Sequence, residues 1–233
     1  DLGAPTAVAD TIGTATEGGG ATNLGGLNVT GNDTGTAGTD PVAAVAGSAG
    51  NVGTAVAGDN GGLFTVNADG TVTFDPNGDF DALAAGATQV TAVAVTVRDA
   101  AGNTATADLS VTVTGINDAP TATDPADQTT AADGSFTYQL PAGALTDIDT
   151  GDTLTYTAAL AGGGALPAWL SFDPSTRTFS GTPGVGEIGT IGLQVTAEDG
   201  ANATATATFN LTVTNTAPTV ASAPADQSAT ADE

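Results

Sequence analysis

Hydrophobic and polar residues alternate along several short stretches of the chain. Within residues 109–113, leucine and valine occupy every second position, with serine and threonine between them. The same alternation recurs at 93–97, and again in the second half of the chain at 193–197 and 209–213. A period of two, enriched in valine and threonine, predicts β-strands with one buried face.

Shorter stretches add to this all-β pattern, and clusters of glycine, asparagine and aspartate separate them. Residues 13–58 are so rich in glycine, alanine and threonine that no period can be identified there, and no stretch shows a clear helical period. Several short strands in each half of the chain predict β-sandwiches of Greek-key type. Further strands are predicted at 63–66 and 71–74. Two more are indicated by residues that would share one face, namely Phe136, Tyr138 and Leu140 in one strand and Leu154 and Tyr156 in the other.

An internal repeat divides the chain. The tripeptide Ala-Pro-Thr occurs at 4–6, 119–121 and 217–219, and we interpret each copy as the entrance to a domain. The sequence therefore predicts two tandem β-sandwiches and the beginning of a third. The predicted boundaries are 1–116, 117–215 and 216–233.

Composition narrows the possible functions. The chain has 2 basic and 26 acidic residues, a formal charge of −24, and no cysteine, methionine or histidine. So acidic a protein cannot displace the counterions of nucleic acids or bind anionic lipid. No apolar stretch is long enough for membrane insertion. Ser–His and Cys–His catalysis are impossible, and the acidic residues lie in turn motifs with few aromatics, so we do not expect an enzyme.

Side chains that could bind a metal ion lie in the stretch 114–121, which follows the strand at 109–113. Asn117 and Asp118 place a carboxamide and a carboxylate side by side, and Pro120 stiffens the backbone after them. Calcium is a hard cation that takes oxygen ligands at loosely specified angles. We therefore expect Asn117 and Asp118 to hold calcium at a joint between two domains, together with acidic residues from both.

Two groups of motifs resemble known bacterial surface modules. The segments 70–83, 97–103 and 114–120 resemble the VCBS-type cadherin-like repeat, whereas 145–156, 166–173 and 179–183 are similar to the dystroglycan-type cadherin-like module. The resemblance implies immunoglobulin/cadherin-like sandwiches with calcium at the domain junction. It also implies a secreted, cell-surface setting in a large adhesin involved in adhesion or biofilm formation. The metal ligands that it implies are Glu17, Asp79, Asp81, Asn117, Asp118, Asp147, Asp149 and Asp199.

The expected function is that of a structural extender stiffened by calcium, whose partners are calcium ions and the neighbouring repeats of the same chain. Two alternatives stay open. A carbohydrate-binding module, with surface polysaccharide as its partner, would need Trp169, Tyr138 or Tyr156 on the surface. A self-assembling surface-layer or filament subunit would pair residues 217–233 with a neighbouring chain.

Overall fold

The computed structural model describes residues 4–36, 38 and 41–215, and only the backbone at 22–27. These residues form two compact units. The first contains the described residues up to Pro120 together with Asp147–Leu154 and Asp199–Ala203. The second contains Thr121–Thr146, Thr155–Glu198 and the described residues from Thr204 onward. The predicted third entrance, 216–233, lies outside the described residues, and the predicted domain boundaries stay predictions.

The first unit is built from two four-stranded sheets. One sheet has the order β1-β8-β7-β3 and the other the order β2-β6-β5-β4. Strands β1 and β8 pair in parallel, whereas the other pairs are antiparallel. The strands are β1 (Asp10–Thr16), β2 (Thr22–Asn28), β3 (Val42–Val45), β4 (Ala55–Ala57), β5 (Leu63–Val66), β6 (Thr71–Asp75), β7 (Thr88–Arg98) and β8 (Thr104–Thr114).

The core of the first unit lies between these two sheets. Val95 on β7 and Val111 on β8 join Phe64 on β5 and Phe74 on β6 in a single buried cluster. The rings of Phe64 and Phe74 lie 4.8 Å apart in a tilted arrangement. In β5, β6, β7 and β8, buried residues alternate with less buried ones, so the observed burial in these strands follows the period of two in the sequence.

The second unit contains one four-stranded sheet, one three-stranded sheet and one two-stranded pair. Their strand orders are β10-β17-β16-β13, β11-β15-β14 and β12-β9. As in the first unit, the strand of the large sheet that comes first along the chain, β10, pairs in parallel with the one that comes last along the chain, β17. The strands are β9 (Thr121–Ala122), β10 (Gln128–Ala131), β11 (Phe136–Gln139), β12 (Leu145–Thr146), β13 (Thr155–Leu160), β14 (Leu170–Asp173), β15 (Thr178–Gly181), β16 (Gly189–Glu198) and β17 (Thr204–Thr214).

Aromatic rings connect the sheets of the second unit. Phe179 on β15 packs edge-on against Phe209 on β17 at 5.6 Å, and Tyr138 on β11 lies 5.3 Å from Phe209. Leu193 and Leu211 are fully buried beside them. Full burial of a leucine side chain contributes about 1.5–3 kcal/mol, so this cluster is a principal source of the unit's stability.

The structure confirms the all-β immunoglobulin-like fold that the alternation predicts. The strand prediction at 63–66 matches β5, and those at 71–74, 93–97, 109–113, 193–197 and 209–213 lie within longer strands of the structure. Phe136 and Tyr138 lie in β11 and Tyr156 lies in β13, but Leu140 and Leu154 fall just outside these two strands. Strands β1 to β4 lie in the region where no period can be identified. In β1 the register shifts between Thr11 and Thr14, and Gly13 adopts a φ of 105°. Such a bulge interrupts the period of two, so the strand leaves no alternating pattern.

The packing of the second unit predicts the cost of truncating its core. Leu211→Ala should lower the free energy of unfolding by about 2–5 kcal/mol, because Leu211 is 0% exposed and its loss leaves a cavity. Urea unfolding followed by the fluorescence of Trp169, the single tryptophan, measures this change. Ile188→Ala is the matched control, since Ile188 is 48% exposed and should cost within about 0.5 kcal/mol. Equal losses in the two variants would contradict the assignment of Leu211 to the core.

Candidate metal centre

The first acidic triad consists of Glu17, Asp118 and Asp149, which all belong to the first unit. One carboxylate oxygen of each lies within 4.8 Å of the others. Glu17 follows β1 directly, and its N–H donates to the carbonyl of Thr114 at the end of β8. The parallel pairing of β1 and β8 therefore brings Glu17 to the residues that follow β8, where Ile116 N–H donates to Glu17 Oε1 at 2.6 Å.

The backbone around Asp118 and Asp149 holds the rest of this triad in place. Asp118 N–H donates to Asp149 Oδ2 at 3.0 Å, and Thr150 N–H donates to the carbonyl of Ala82 at 3.0 Å. Gly115 lets the chain pass close to the segment that precedes β7. A side chain at Gly115 would collide with the carbonyl oxygens of Leu83 and Ala84.

The second acidic triad consists of Asp147, Asp152 and Asp199, again with one oxygen of each within 4.8 Å of the others. A tight turn builds two of its members, because Asp149 N–H donates to Asp147 Oδ1 at 3.0 Å and Asp152 N–H donates to the carbonyl of Asp149 at 3.3 Å. Asp199 lies in the turn between β16 and β17. Its Oδ1 accepts the N–H groups of Ala201 and Ala203, both at 2.8 Å.

Several of these carboxylate oxygens are buried without a donor. Glu17 is 3% exposed and Asp149 is 5% exposed. Within the described part of the chain, no group donates a hydrogen bond to Glu17 Oε2, Asp149 Oδ1 or Asp147 Oδ2. A buried charge without a partner is costly, and two like charges 4 Å apart repel by about 4 kcal/mol at an effective dielectric constant of 20. A positive charge between these oxygens would compensate both costs.

The pKa values of individual carboxyl groups in the triads are shifted by this burial and repulsion. Burial raises the pKa of Glu17, and the charges of Asp118, Asp149 and Asp81 add to the rise while the Ile116 hydrogen bond opposes it. Burial followed by the charges of Asp149, Asp81 and Asp147 raises the pKa of Asp118. The pKa of Asp152 is raised in the same way, by burial and then by neighbouring aspartates. Asp199 differs, because the hydrogen bond from Asn117 holds its pKa below the ordinary value.

The donor set fits a hard divalent cation. Every candidate ligand is an oxygen, and the chain has no cysteine or histidine to attract softer metals. Calcium takes about six to eight oxygens in flexible geometry, whereas magnesium keeps most of its water and typically binds one or two carboxylates. Three carboxylates converging on one point therefore suit calcium better than magnesium.

The structure brings most of the predicted ligands together. Glu17, Asn117, Asp118, Asp147, Asp149 and Asp199 all lie in or beside the two triads. Asp81 contributes its charge to Glu17 and Asp118. Asp79 has a different contact, because its Oδ2 accepts Gly62 N–H at 2.8 Å and so anchors the turn before β5. Whether these residues bind metal stays a prediction.

Asp152 is the residue that the predicted ligand set omits. It is the third carboxylate of the short segment Asp147–Asp152, and the close spacing of three aspartates around a glycine was the available signal. The resemblance assigned no role to this position. The turn that Asp149 and Asp152 form brings the third carboxylate back toward Asp199, a proximity that spacing alone does not show.

The aromatic side chains considered for sugar binding are half-buried rather than fully exposed. Tyr138 packs on Phe209, and the guanidinium of Arg177 lies 5.6 Å from the ring centre of Tyr156. The indole nitrogen of Trp169 is itself buried. Their partial burial adds no support to the carbohydrate-binding alternative, which stays untested.

Two family profiles match the chain, one in each half. Residues 2–112 match the family described as "Bacterial Ig domain", and residues 119–214 match the family described as "Putative Ig domain". Together with the two β-sandwich units, these matches assign tandem immunoglobulin-like domains to the chain. The narrower VCBS-type and dystroglycan-type resemblances stay predictions.

Solved structures to which the chain shows some similarity include two cadherins and one hydrolase. Drosophila N-cadherin EC1-4 is 16% identical with a TM-score of 0.48, over 90% of this chain and 49% of that chain. Human CDH23 EC21-23 is 20% identical with a TM-score of 0.47, over 74% and 57% of the two chains. An endo-fucoidan hydrolase from glycoside hydrolase family 107 is 18% identical with a TM-score of 0.35, over 91% and 29%. This chain spans less than two thirds of each of these structures.

A search of curated proteins finds no significant match to the chain. Among the described residues, no helix has both the length and the apolar character needed to cross a membrane.

The raised pKa of Glu17 predicts the effect of removing its charge. Glu17→Gln keeps an oxygen that can accept the Ile116 hydrogen bond but deletes one negative charge from the first triad. Since the folded-state pKa of Glu17 is raised, its ionisation destabilises the folded state above that pKa, and the penalty disappears below the unfolded-state pKa. In a chelator at neutral pH, the variant should therefore melt at a higher temperature than the wild type.

Melting curves at a series of pH values test whether the charge of Glu17 destabilises the folded state. The advantage of Glu17→Gln should shrink as the pH falls, because the wild-type carboxyl becomes protonated and loses its penalty. A variant that melts below the wild type in chelator at neutral pH would show that the ionised Glu17 stabilises the fold on its own.

Proposed function

We propose that this chain is an extracellular extender segment of a bacterial surface protein, stiffened by calcium bound at its acidic triads. Its role is mechanical. Tandem immunoglobulin-like domains set a distance between the cell and a distal binding region, in adhesion or in biofilm formation. No catalytic role is part of the proposal.

The observation that carries the proposal is the pair of buried, unpartnered oxygens in the first triad. Glu17 Oε2 and Asp149 Oδ1 are buried within a cluster of three carboxylates, and no described group donates a hydrogen bond to either. A divalent cation converts their mutual repulsion into attraction. Hydrogen bonds already position both side chains through their other oxygens, so they are preorganised to bind an ion.

The ion would be held by Glu17, Asp118 and Asp149, with the charge of Asp81 nearby. When bound, it supplies a cross-link between distant parts of the chain, namely the end of β1, the stretch after β8 and the segment Asp147–Leu154. That segment continues directly into β13 of the second unit. Fixing it within the first unit would restrict the movement of the second unit, which is the stiffening that an extender requires.

The proposed setting is consistent with the affinity that such a site should have. Extracellular calcium modules bind at about 10⁻⁴–10⁻³ M, which suits a medium rich in calcium and would leave the site unfilled in the cytoplasm. A chain with a formal charge of −24 also repels itself, and bound calcium reduces that repulsion.

Removal of calcium tests this function. The wild type should melt at a clearly higher temperature in calcium than in chelator, and its radius of gyration in solution scattering should change when the chelator is added. The physical reason is mass action, because a ligand at 100 times its dissociation constant adds about 2.7 kcal/mol to the unfolding free energy.

Asp149→Asn and Asp133→Asn form a matched pair for this test. Asp149→Asn removes a buried ligand and should abolish most of the calcium-dependent rise in melting temperature. Asp133 is exposed and has a φ of 62°, a conformation that asparagine tolerates, so Asp133→Asn should keep the full rise. Equal melting temperatures of the wild type in calcium and in chelator would overturn the proposal.

A further inference from the structure

The chain contains two Asn-Gly pairs, Asn60-Gly61 and Asn77-Gly78, and both asparagines are exposed. Asparagine is one of the thermolabile residues of proteins. Loss of its amide group requires that the backbone nitrogen of the next residue reaches the side-chain carboxamide carbon. Glycine leaves that nitrogen unhindered, because it has no side chain. The sequence alone therefore gives the two pairs the same reactivity, and only the structure distinguishes them.

Hydrogen bonds hold both reacting groups of the first pair. Asn60 Nδ2 donates to the carbonyl of Val90 at 3.0 Å. Gly61 N–H donates to the carbonyl of Gly58 at 3.2 Å. The carboxamide and the nitrogen that would attack it are thus fixed by different partners. Both hydrogen bonds must break before the two groups can react.

The second pair lies in the turn after β6 and has neither restraint. Within the described part of the chain, no group forms a hydrogen bond with the Asn77 carboxamide or with Gly78 N–H. Asn77 is held only through its backbone N–H, which donates to Asp75 Oδ1 at 2.9 Å. Its φ of 57° and the φ of 72° at Gly78 both lie in the left-handed region. The Asn77 carboxamide can therefore turn toward the Gly78 nitrogen without losing a partner.

We propose that Asn77 is a site of spontaneous deamidation, at which the Gly78 nitrogen attacks the carboxamide carbon of Asn77. A bond forms between that nitrogen and Cγ, the bond from Cγ to Nδ2 breaks, and the amide group leaves as ammonia with the Gly78 N–H proton. A cyclic succinimide remains. Water then opens the ring at either carbonyl, giving aspartate or isoaspartate. The overall reaction converts an amide and water into a carboxylic acid and ammonia.

The fold should make the two sites react at different rates. The reaction is intramolecular, so its rate depends on how readily the nitrogen and the carboxamide carbon approach each other. A hydrogen bond that must first be broken slows such a step by up to about tenfold. This penalty applies at Asn60 and not at Asn77. The inference is independent of the proposed calcium function, because none of these contacts involves an acidic triad.

Deamidation would alter the turn that Asn77 belongs to. Asp79 N–H donates to the carbonyl of Pro76 at 3.1 Å, and Asp79 Oδ2 accepts Gly62 N–H at 2.8 Å. Isoaspartate adds a carbon atom to the backbone between Pro76 and Asp79, so it should disrupt the first of these hydrogen bonds. Either product also adds a negative charge to a chain whose formal charge is already −24. The modification would therefore weaken the anchor of the turn before β5.

Peptide mapping by mass spectrometry tests the proposal, because it measures the two sites separately. The full chain is incubated in a chelator at neutral pH, and samples are digested at intervals. Asn77 should be deamidated about tenfold faster than Asn60, with both aspartate and isoaspartate appearing at position 77. In concentrated urea the hydrogen bonds of Asn60 are lost, so the two rates should converge.

Asn77→Asp is the matched variant for this experiment. Aspartate tolerates the left-handed backbone as asparagine does, so the variant should melt close to the wild type. It has no amide to lose at position 77 and should lack the fast phase of deamidation, while the rate at Asn60 stays unchanged. Equal rates at the two asparagines of the folded chain, or a difference that persists undiminished in urea, would overturn the proposal.

Discussion

The proposed function depends on a group of carboxylates that are buried close together without enough donors to satisfy them. Glu17 and Asp149 each use one oxygen in a backbone hydrogen bond, and the described chain supplies no donor for the other. Desolvation and like-charge repulsion both act against this arrangement. A bound cation would offset both costs, and this connects the domain architecture to the proposed mechanical role.

The β-sandwich creates this arrangement at the end of its strands. Parallel pairing places the end of β1 beside the end of β8, so that Glu17 meets the residues following Thr114. Asp147 and Asp149 are brought to the same place by the segment that the first unit takes from later in the chain. None of these acidic residues belongs to the hydrophobic core. Their position is therefore consistent with the proposed calcium binding.

Alternation predicted the fold wherever the strands are regular, and failed where they are not. Residues 63–66 form a strand as predicted, whereas the bulge at Gly13 and the uniform glycine, alanine and threonine composition concealed the first strands. For the site, the motifs identified Asn117 and Asp118. They could not show that Asp79 accepts a hydrogen bond from Gly62 N–H, or that Asp152 lies close to Asp199. Both depend on tertiary contacts that carry no local sequence signal.

The most direct test is an anomalous-scattering map of a crystal of the full chain grown in calcium. The account predicts a peak bonded to Glu17 Oε2 and Asp149 Oδ1, at the calcium–oxygen distance of about 2.3–2.6 Å. Such a peak would show that the buried oxygens bind the ion directly. A map without density near these two oxygens, in a crystal where calcium is bound elsewhere on the chain, would contradict the central claim.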